Sequence, residues 1–371
     1  MDLLLVSLES WDAVWRRNQH LVSRLLEADP AMRVLFVEPA ADPLHDVASR
    51  RRPGHGTAVS AVEGFDGRLL RFRPVKLLPR RLDRRADDRL ADAMVRAAAT
   101  AGMPRPLLWL NDPGAAPLAR RTGWPTLYDM TDDWLAAPRP AAELARIHAD
   151  ENWLLAHAAE VVACSAELVR RKSPARRGSL IALVPNAVDI AAYRRPTPRP
   201  ADLPASAAVY VGTLHTDRLD VALCEATAKQ LAGTGALVLV GPNVLSAADS
   251  DRLRAAGARL LGPRAHDEVI AYLQHADVLV VPHVVTPFTD SLDPIKLYEY
   301  AAVGRPVIAT GVAGFRDTDD PRVGVVEASE FPAAVAASAS AGIPTDADRP
   351  VATWDDRAAA VRAVLEGMRR G

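Results

Sequence analysis

Along this chain, short apolar runs bounded by Gly, Pro, Asn and Asp alternate with longer stretches in which apolar residues recur at helical spacing. The short runs read as buried strands and the periodic stretches as helices covering them, which is the pattern of repeated strand–helix units around parallel sheets. In the N-terminal part the predicted strands are Asp2 to Leu8, Arg33 to Val37, Leu107 to Leu110, Thr126 to Tyr128, Glu160 to Ala163 and Leu180 to Leu183. Helices are predicted over Trp15 to Glu27, Arg80 to Ala99 and Ala141 to Ala158. The segment RRPTPRPADLPA, Arg194 to Ala205, then carries four prolines and no periodicity, so it reads as a linker. A second series follows, with strands at Ala207 to Val211, Ala236 to Val240, Ala258 to Leu261, Asp277 to Val281 and Pro306 to Ala309, and helices starting near Asp217, Ala247, Asp267 and Pro294. The expectation is an α/β chain of two doubly wound domains, residues 1–196 and 197–351, with a final helix over 352–371 that can pack back on the first. Ligands of such sheets bind beyond the carboxyl ends of the strands, so function is expected on those loops and in a cleft between the domains.

Composition narrows this picture. Among 371 residues, 49% are hydrophobic but only 5% aromatic, so the core is aliphatic and a large sheet-on-sheet sandwich is disfavoured. The net charge of −1 conceals +5 over residues 1–196 and −6 over 197–371. Cys164 and Cys224 sit in apolar stretches without metal-ligand spacing, so neither a disulfide framework nor a metal site is implied. The apolar start has no basic flank and is broken by Glu9, Trp11 and Asp12, which points to a cytoplasmic chain without a spanning segment. SLESWD stands where a dinucleotide fingerprint would follow the first strand, and no P-loop, nucleophile elbow, His/Cys cluster or long basic and aromatic stripe occurs. Dinucleotide oxidoreductases, P-loop phosphotransferases, GxSxG hydrolases and nucleic-acid binders are therefore unsupported.

The most informative stretch runs from Ala276 to Thr310, ADVLVVPHVVTPFTDSLDPIKLYEYAAVGRPVIAT. A strand leads into a polar loop, and the loop into a helix expected to begin at Asp293 and Pro294 and to end at Gly304. A helix start at the mouth of a parallel sheet offers free amides and a positive dipole end to an anion. Lys296 adds a full charge in the first turn, and Glu299 follows on the same helix face. A diphosphate on Lys296 and the amides, with a ribose on Glu299, is one reading; a surface Lys–Glu pair is the other.

Context favours the first. The segment resembles the nucleotide-sugar motif of GT-B glycosyltransferases, the family 4 type in particular, where a Glu, seven residues and a second Glu precede a Gly-[KR]-Pro-Val-[IV] strand. Glu299, Gly304, Arg305, Pro306, Val307 and Ile308 match, whereas Ser291 occupies the place of the first Glu, next to Leu292 and between Asp290 and Asp293. SLDPIKLYEY is similar to a subgroup with NPxKL[FY]EY that acts in teichuronic-acid-type and other bacterial cell-surface polysaccharide pathways. WDAVWRRNQHL, LFVEP, LYDMTDDW, VPNAVD, YVGTLH and LGPRAHDEVIAYLQHADVLVVP extend the likeness over most of the chain.

The resemblance implies two Rossmann-like domains in GT-B architecture and transfer of a sugar from a nucleotide diphosphate sugar to an acceptor hydroxyl or amine, without metal or cofactor. On the donor side it implies Gly212, Thr213, Arg218, Arg264, Ser291, Leu292, Asp293, Lys296 and Glu299, with Lys296 stabilising the leaving diphosphate; a solvated basic residue is the alternative reading of Arg218, and a water-exposed loop Arg that of Arg264. Asp132, in the carboxylate-rich YDMTDDW loop, is implied as the catalytic base. An N-cap or salt-bridge role for that loop's carboxylates is the alternative. Trp11, Asp12, Arg16, Asn18, Asp112 and Asp129 are expected on the acceptor side, with helix-face packing the alternative for Trp11. Arg68 to Arg89 holds nine basic residues and three Asp. It reads either as a solvated Arg-rich helix or as a surface for an anionic, lipid-linked acceptor or an acidic bilayer. A nucleotide-sugar epimerase or a catalytically silent partner subunit of the same fold are the competing functions, and the oligomeric state stays open.

Overall fold

The computed structural model describes residues 1–12, 15–48, 52–80, 82–137, 139–176, 178–341 and 349–370. The chain divides into two compact units, Met1–Pro185 with Trp354–Gly371, and Asn186–Thr353.

The first unit contains an eight-stranded sheet made of β1 (Asp2–Val6), β2 (Arg33–Val37), β3 (Thr57–Ala61), β4 (Leu69–Arg73), β5 (Leu107–Leu110), β6 (Thr126–Met130), β7 (Glu160–Ala163) and β8 (Ala182–Leu183). The spatial order is β3-β4-β2-β1-β5-β6-β7-β8. All neighbours run parallel except the β3–β4 pair at one edge. β1, β2, β5 and β6 are buried almost throughout, which is why they read as unbroken Leu/Val-rich runs rather than as alternating ones. β1 lies between β2 and β5, so the loops leaving β1 and β5 flank the point where the winding reverses.

The second unit contains β9 (Ala207–Val211), β10 (Ala236–Val240), β11 (Arg259–Gly262), β12 (Val278–Val281), β13 (Val307–Ala309) and β14 (Val323–Val325) in the order β11-β10-β9-β12-β13-β14. All pairs are parallel, and the reversal falls beside β9. Two aliphatic clusters fill this unit, one around Val209, Val240 and Leu279, the other around Ala208, Leu239 and Val280.

Every strand expected from the apolar runs is present, and the doubly wound α/β class holds in both units. Strands β3, β4 and β14 were not expected. β3 is largely exposed and antiparallel, and β4 is the LLRFR run inside the basic stretch, where arginines mask the strand pattern. Arg68 to Arg89 is accordingly not one Arg-rich helix: β4 takes its beginning, and the helix starts only at Ala86. Its cations are mostly engaged. Arg68 donates to the carbonyl of Leu26, Arg73 to that of Pro39, and Lys76, Arg80 and Arg89 pair with Asp42, Asp87 and Asp83. Arg81 lies outside the described residues.

The break between units comes at Pro185–Asn186, ahead of the Pro-rich segment. That segment is pinned to the second unit rather than hanging free. Thr197 donates to Gln274 Oε1 through its amide (2.9 Å) and its hydroxyl (2.7 Å), and Arg199 donates to the carbonyl of His275. The Trp354–Arg370 helix belongs to the first unit, where buried Trp354 stacks on His20 (4.9 Å between ring centroids) and Asp355 pairs with Arg24 (2.8 Å). Among the described residues, no helix is long and apolar enough to cross a membrane.

Candidate active site

β9 ends at Gly212, whose φ of +149° is a conformation that L side chains rarely adopt, and a Cβ there would lie 2.7 Å from Lys296 Nζ. Gly241, directly after β10, has φ +142°, and a Cβ on it would lie 2.2 Å from the carbonyl oxygen of Gly212. These two positions let the loops leaving β9 and β10 touch and let an ammonium approach the end of β9.

Lys296 stands in the first turn of the Ile295–Val303 helix, which ends at Gly304 in the left-handed conformation (φ +78°). Its Nζ lies 5.2 Å from the centroid of the Tyr210 ring. Desolvation, aided by the charge of Arg218 and opposed by Glu299, lowers its pKa to about 8. Buried His283, after β12, is joined to the Tyr210 hydroxyl through Nε2 (3.2 Å). Its pKa is driven down to about 3 by burial and then by Lys296 and Arg218, so the ring is neutral. The Arg218 guanidinium is exposed to solvent and lies 5.4 Å from the centroid of the Phe288 ring. Among the described residues, the side chains of Lys296 and Arg218 make no hydrogen bond or ion pair; the backbone of Arg218 is bonded to His215 and Val284. The end of β9 is thus a concentration of positive charge with no acid bonded to it among the described residues, Glu299 acting on Lys296 only from a distance, next to the amides of a helix start.

Three expected donor-side residues have other engagements. Asp293 is not the helix cap: Pro294 occupies that position, and the Asp293 carboxylate accepts from the amide of Asn186 (2.5 Å) and the hydroxyl of Tyr298 (2.9 Å). Ser291 is fully buried in a 3-10 turn and donates to the carbonyl of Phe288 (2.8 Å), facing inward where a Glu was sought. Arg264 donates to Asp202 (3.0 Å), to the Tyr272 hydroxyl (3.2 Å) and to the carbonyl of Leu261 (2.7 Å), so its guanidinium is held within its own loop region. Glu299 accepts from the Tyr193 hydroxyl through Oε1 (2.6 Å), and its Oε2 has no hydrogen bond among the described residues. Thr213 is exposed beside Gly212, and Leu292 is half-buried between the 3-10 turn and the helix. Sequence reasoning brought Gly212, Lys296 and Arg218 together but missed Tyr210, Gly241 and His283. The Gly in VGPN directly follows a strand and the His in VVPH comes two residues after one, which was the available signal.

In the first unit Asp129 is completely buried and cannot face an acceptor. Arg17 forks onto it (3.3 and 3.2 Å), and the indole of Trp109 (3.0 Å) and the amide of Asn111 (3.2 Å) also donate to it. Asn18, likewise expected on the acceptor side, is buried and bridges Ser7 and Asn111 (2.9 Å each). Asp133 receives Lys172 (2.8 Å) and Arg171 (3.1 Å). Trp11 packs on Phe36 and Phe65, with ring centroids 5.1 and 5.6 Å away. Arg16 lies 3.6 Å from Asp12, which is exposed, and 3.8 Å from Glu9. Asp112 caps a 3-10 turn by accepting from the amide of Gly114 (2.7 Å).

Of the YDMTDDW carboxylates, Asp132 alone is half-buried, within reach of the Thr131 hydroxyl (3.3 Å). Glu9, which sequence reasoning passed over, is near enough to sense its charge. Burial, with Asp132 and Asp12 adding to it against Arg16, raises the Glu9 pKa to about 7, and Glu9 Oε2 is buried without a hydrogen-bond partner. Among the described residues no group of three or more His, Cys, Asp or Glu side chains could hold a metal ion.

The family model of glycosyl transferases group 1 matches residues 205–342, which span β9 to the helix following β14 and include Gly212, Arg218, Lys296 and Glu299. Residues 205–342 are a group 1 glycosyl transferase domain. The glycosyltransferase domain therefore carries the unpaired cations described above. A Bacillus subtilis (strain 168) protein named as a teichuronic acid biosynthesis glycosyltransferase, TuaH, is 24% identical over 241 residues, 61% of this chain; the match spans 60% of that relative. Among solved structures, Anabaena HepE in complex with UDP-glucose superimposes with a TM-score of 0.66 at 15% identity, over 100% of this chain and 98% of its own. An E. coli trehalose-6-phosphate structure bound with UDP-2-fluoro glucose gives 0.66 at 12% identity over 99% and 96%. The glycosyltransferase domain and the first unit together have the GT-B fold.

Proposed function

We propose that the protein transfers a sugar from a nucleotide diphosphate sugar to an acceptor hydroxyl or amine, with the donor on the group 1 domain. The observation that carries this reading is Lys296: an ammonium at a helix start, packed on Gly212, next to Arg218 and with no acid bonded to it among the described residues. A departing diphosphate supplies the missing negative charge, and electrostatic stabilisation of a leaving group is commonly the largest single contribution to catalysis. The free oxygen of Glu299 is suited to a ribose hydroxyl. The UDP and UDP-sugar complexes of the structural neighbours support a nucleotide-sugar donor. The reading assigns the leaving-group charge to Lys296, Arg218 and the helix amides, with no divalent metal. Asp132, the half-buried carboxylate of the YDMTDDW loop, is our choice for deprotonating the acceptor; Glu9 near it, its own pKa raised to about 7, is the second carboxyl suited to that work. The likeness to TuaH supports cell-surface glycan synthesis as the pathway.

The test is release of nucleoside diphosphate from a panel of nucleotide sugars in EDTA, with and without acceptors, paired with UDP titration. Acceptor-dependent release is expected, which an epimerase or a silent subunit would not give. Lys296→Ala should lower turnover by roughly 100-fold, or about 3 kcal/mol, and weaken UDP. Asp132→Asn should stop transfer and leave UDP affinity unchanged. Wild-type turnover in Lys296→Ala would end the assignment.

A further inference from the structure

At the carboxyl edge of the first unit's sheet, a cavity of about 250 Å³ opens under the Ala86–Thr100 helix. The ends of β1, β2 and β5 form its floor, and Leu90, Met94 and Leu118 give it an apolar wall. Small-molecule sites run to roughly 300–1,000 Å³, so this one has room for a single sugar-sized group.

Its charge is unbalanced. The two cations that line it are already matched, Lys76 with Asp42 and Arg80 with Asp87. Two further lining carboxylates, Glu38 and Asp112, have no ion pair among the described residues. Glu38 is only 7% exposed and accepts from the amide of Trp11 through Oε1 (3.0 Å). Asp112 accepts from Gly114 through Oδ1 (2.7 Å). The second oxygen of each carboxylate has no hydrogen bond among the described residues. Burial raises the pKa of Asp112, against the Gly114 amide and the charges of Arg146 and Arg80, so the unliganded site resists its negative charge. Burying a carboxylate without a counterion is costly unless a ligand supplies one.

We propose that this cavity holds the acceptor, and that the acceptor is an amino sugar or similar small polyol whose ammonium is met by Glu38 and Asp112. The proposal rests on the glycosyl-transfer reading for the word acceptor, but the site's preference for a cation stands on its own chemistry. It reverses the charge that the basic stretch suggested, because Lys76 and Arg80, the cations of that stretch that line the cavity, are paired with Asp42 and Asp87.

The experiment is a titration of the full-length protein with glucosamine, glucose and glucuronate, followed by saturation-transfer NMR. Glucosamine should bind about tenfold or more tightly than glucose, as expected for one charge-assisted hydrogen bond. Glu38→Gln and Asp112→Asn should each remove most of that preference. Leu90→Trp, which fills the cavity without touching a carboxylate, should abolish binding while circular dichroism and UDP affinity stay at wild-type values. Equal binding of the three sugars, a preference for glucuronate, no glucosamine binding, or binding that survives Leu90→Trp overturns the proposal. UDP titration of the same samples reports separately on the second unit, so failure there sinks the transfer reading and leaves the amine site intact.

Discussion

Two charge clusters near the carboxyl ends of the strands, one around Asp129 and Asp133 in the first unit and one around Lys296 in the second, are treated in opposite ways. In the first, Arg17 and Asp129 face each other across buried space with Trp109 and Asn111 completing the carboxylate's shell, and Lys172 lies between Asp133 and Glu151 (2.8 and 2.7 Å). Every one of these charges is answered from within the chain. In the second, Lys296 and Arg218 stand next to a neutral His283 with no acid bonded to either. A buried charge with a partner fixes the fold, while one without a partner is costly until something binds it. The contrast separates residues that hold the loops in place from residues that act on a ligand, although both types follow strands and both look equally polar in the sequence.

The largest effect that can break this comparison is on stability. Arg17→Met leaves the Asp129 carboxylate buried and uncompensated and should cost about 3–5 kcal/mol in chemical denaturation. Lys296→Met removes a charge that the free protein does not want, so it should leave stability unchanged or higher. If both variants lose stability equally, the two clusters are the same kind of object and the donor assignment loses its basis.

A smaller effect tests the same idea through protons. The Lys296 pKa in the free protein is about 8, below its usual 10.5, so the unfolded chain holds that proton across the interval between them. The unliganded protein should therefore gain stability as pH rises from 8 towards 10.5, the destabilising charge being fully present below 8. A bound diphosphate favours the ammonium and pulls its pKa back up. UDP binding should then take up a proton above pH 8, and its affinity should fall with pH there by up to about tenfold per unit. Calorimetry in buffers of different ionisation enthalpy reads the proton directly. Lys296→Arg, which stays charged, should flatten the profile; an unchanged slope in that variant would assign the proton to another group.

All strands but β3, β4 and β14 were legible because parallel strands buried on both faces are continuous apolar runs, and Gly304 and Pro294 marked the ends of the donor helix. Lys296 and Gly212 were legible for the same reason: a motif and a strand end can be read locally. What could not be read was partnership. Asp129, Asp132 and Asp133 are near neighbours in sequence, yet the partners that distinguish them come from Arg17, Lys172 and Arg171, far away along the chain. Asp293 looked like a cap, but the amide of Asn186, more than a hundred residues earlier, claims it. Glu9 had no motif at all, and only burial next to Asp132 makes it chemically unusual. The Pro-rich segment looked free because the contacts that pin it, to Gln274 and His275, leave no periodic trace.

Arg264 supplies the finest test, because its type and loop position match the donor-binding arginines that the family resemblance implies, whereas its geometry places it with the answered charges. The guanidinium is partly exposed, is shared among Asp202, Tyr272 and the carbonyl of Leu261, and lies 6.0 Å from the centroid of the Tyr272 ring. An exposed pair of this kind is worth roughly 0.2–1 kcal/mol. Arg264→Ala should therefore cost stability on that scale and change UDP affinity by less than about twofold, well under a single lost charge-assisted hydrogen bond. A UDP affinity loss as large as that of Lys296→Ala would mean that Arg264 leaves its protein partners when the donor arrives. The rule that answered charges are structural would then hold only for fully buried pairs such as Arg17 and Asp129.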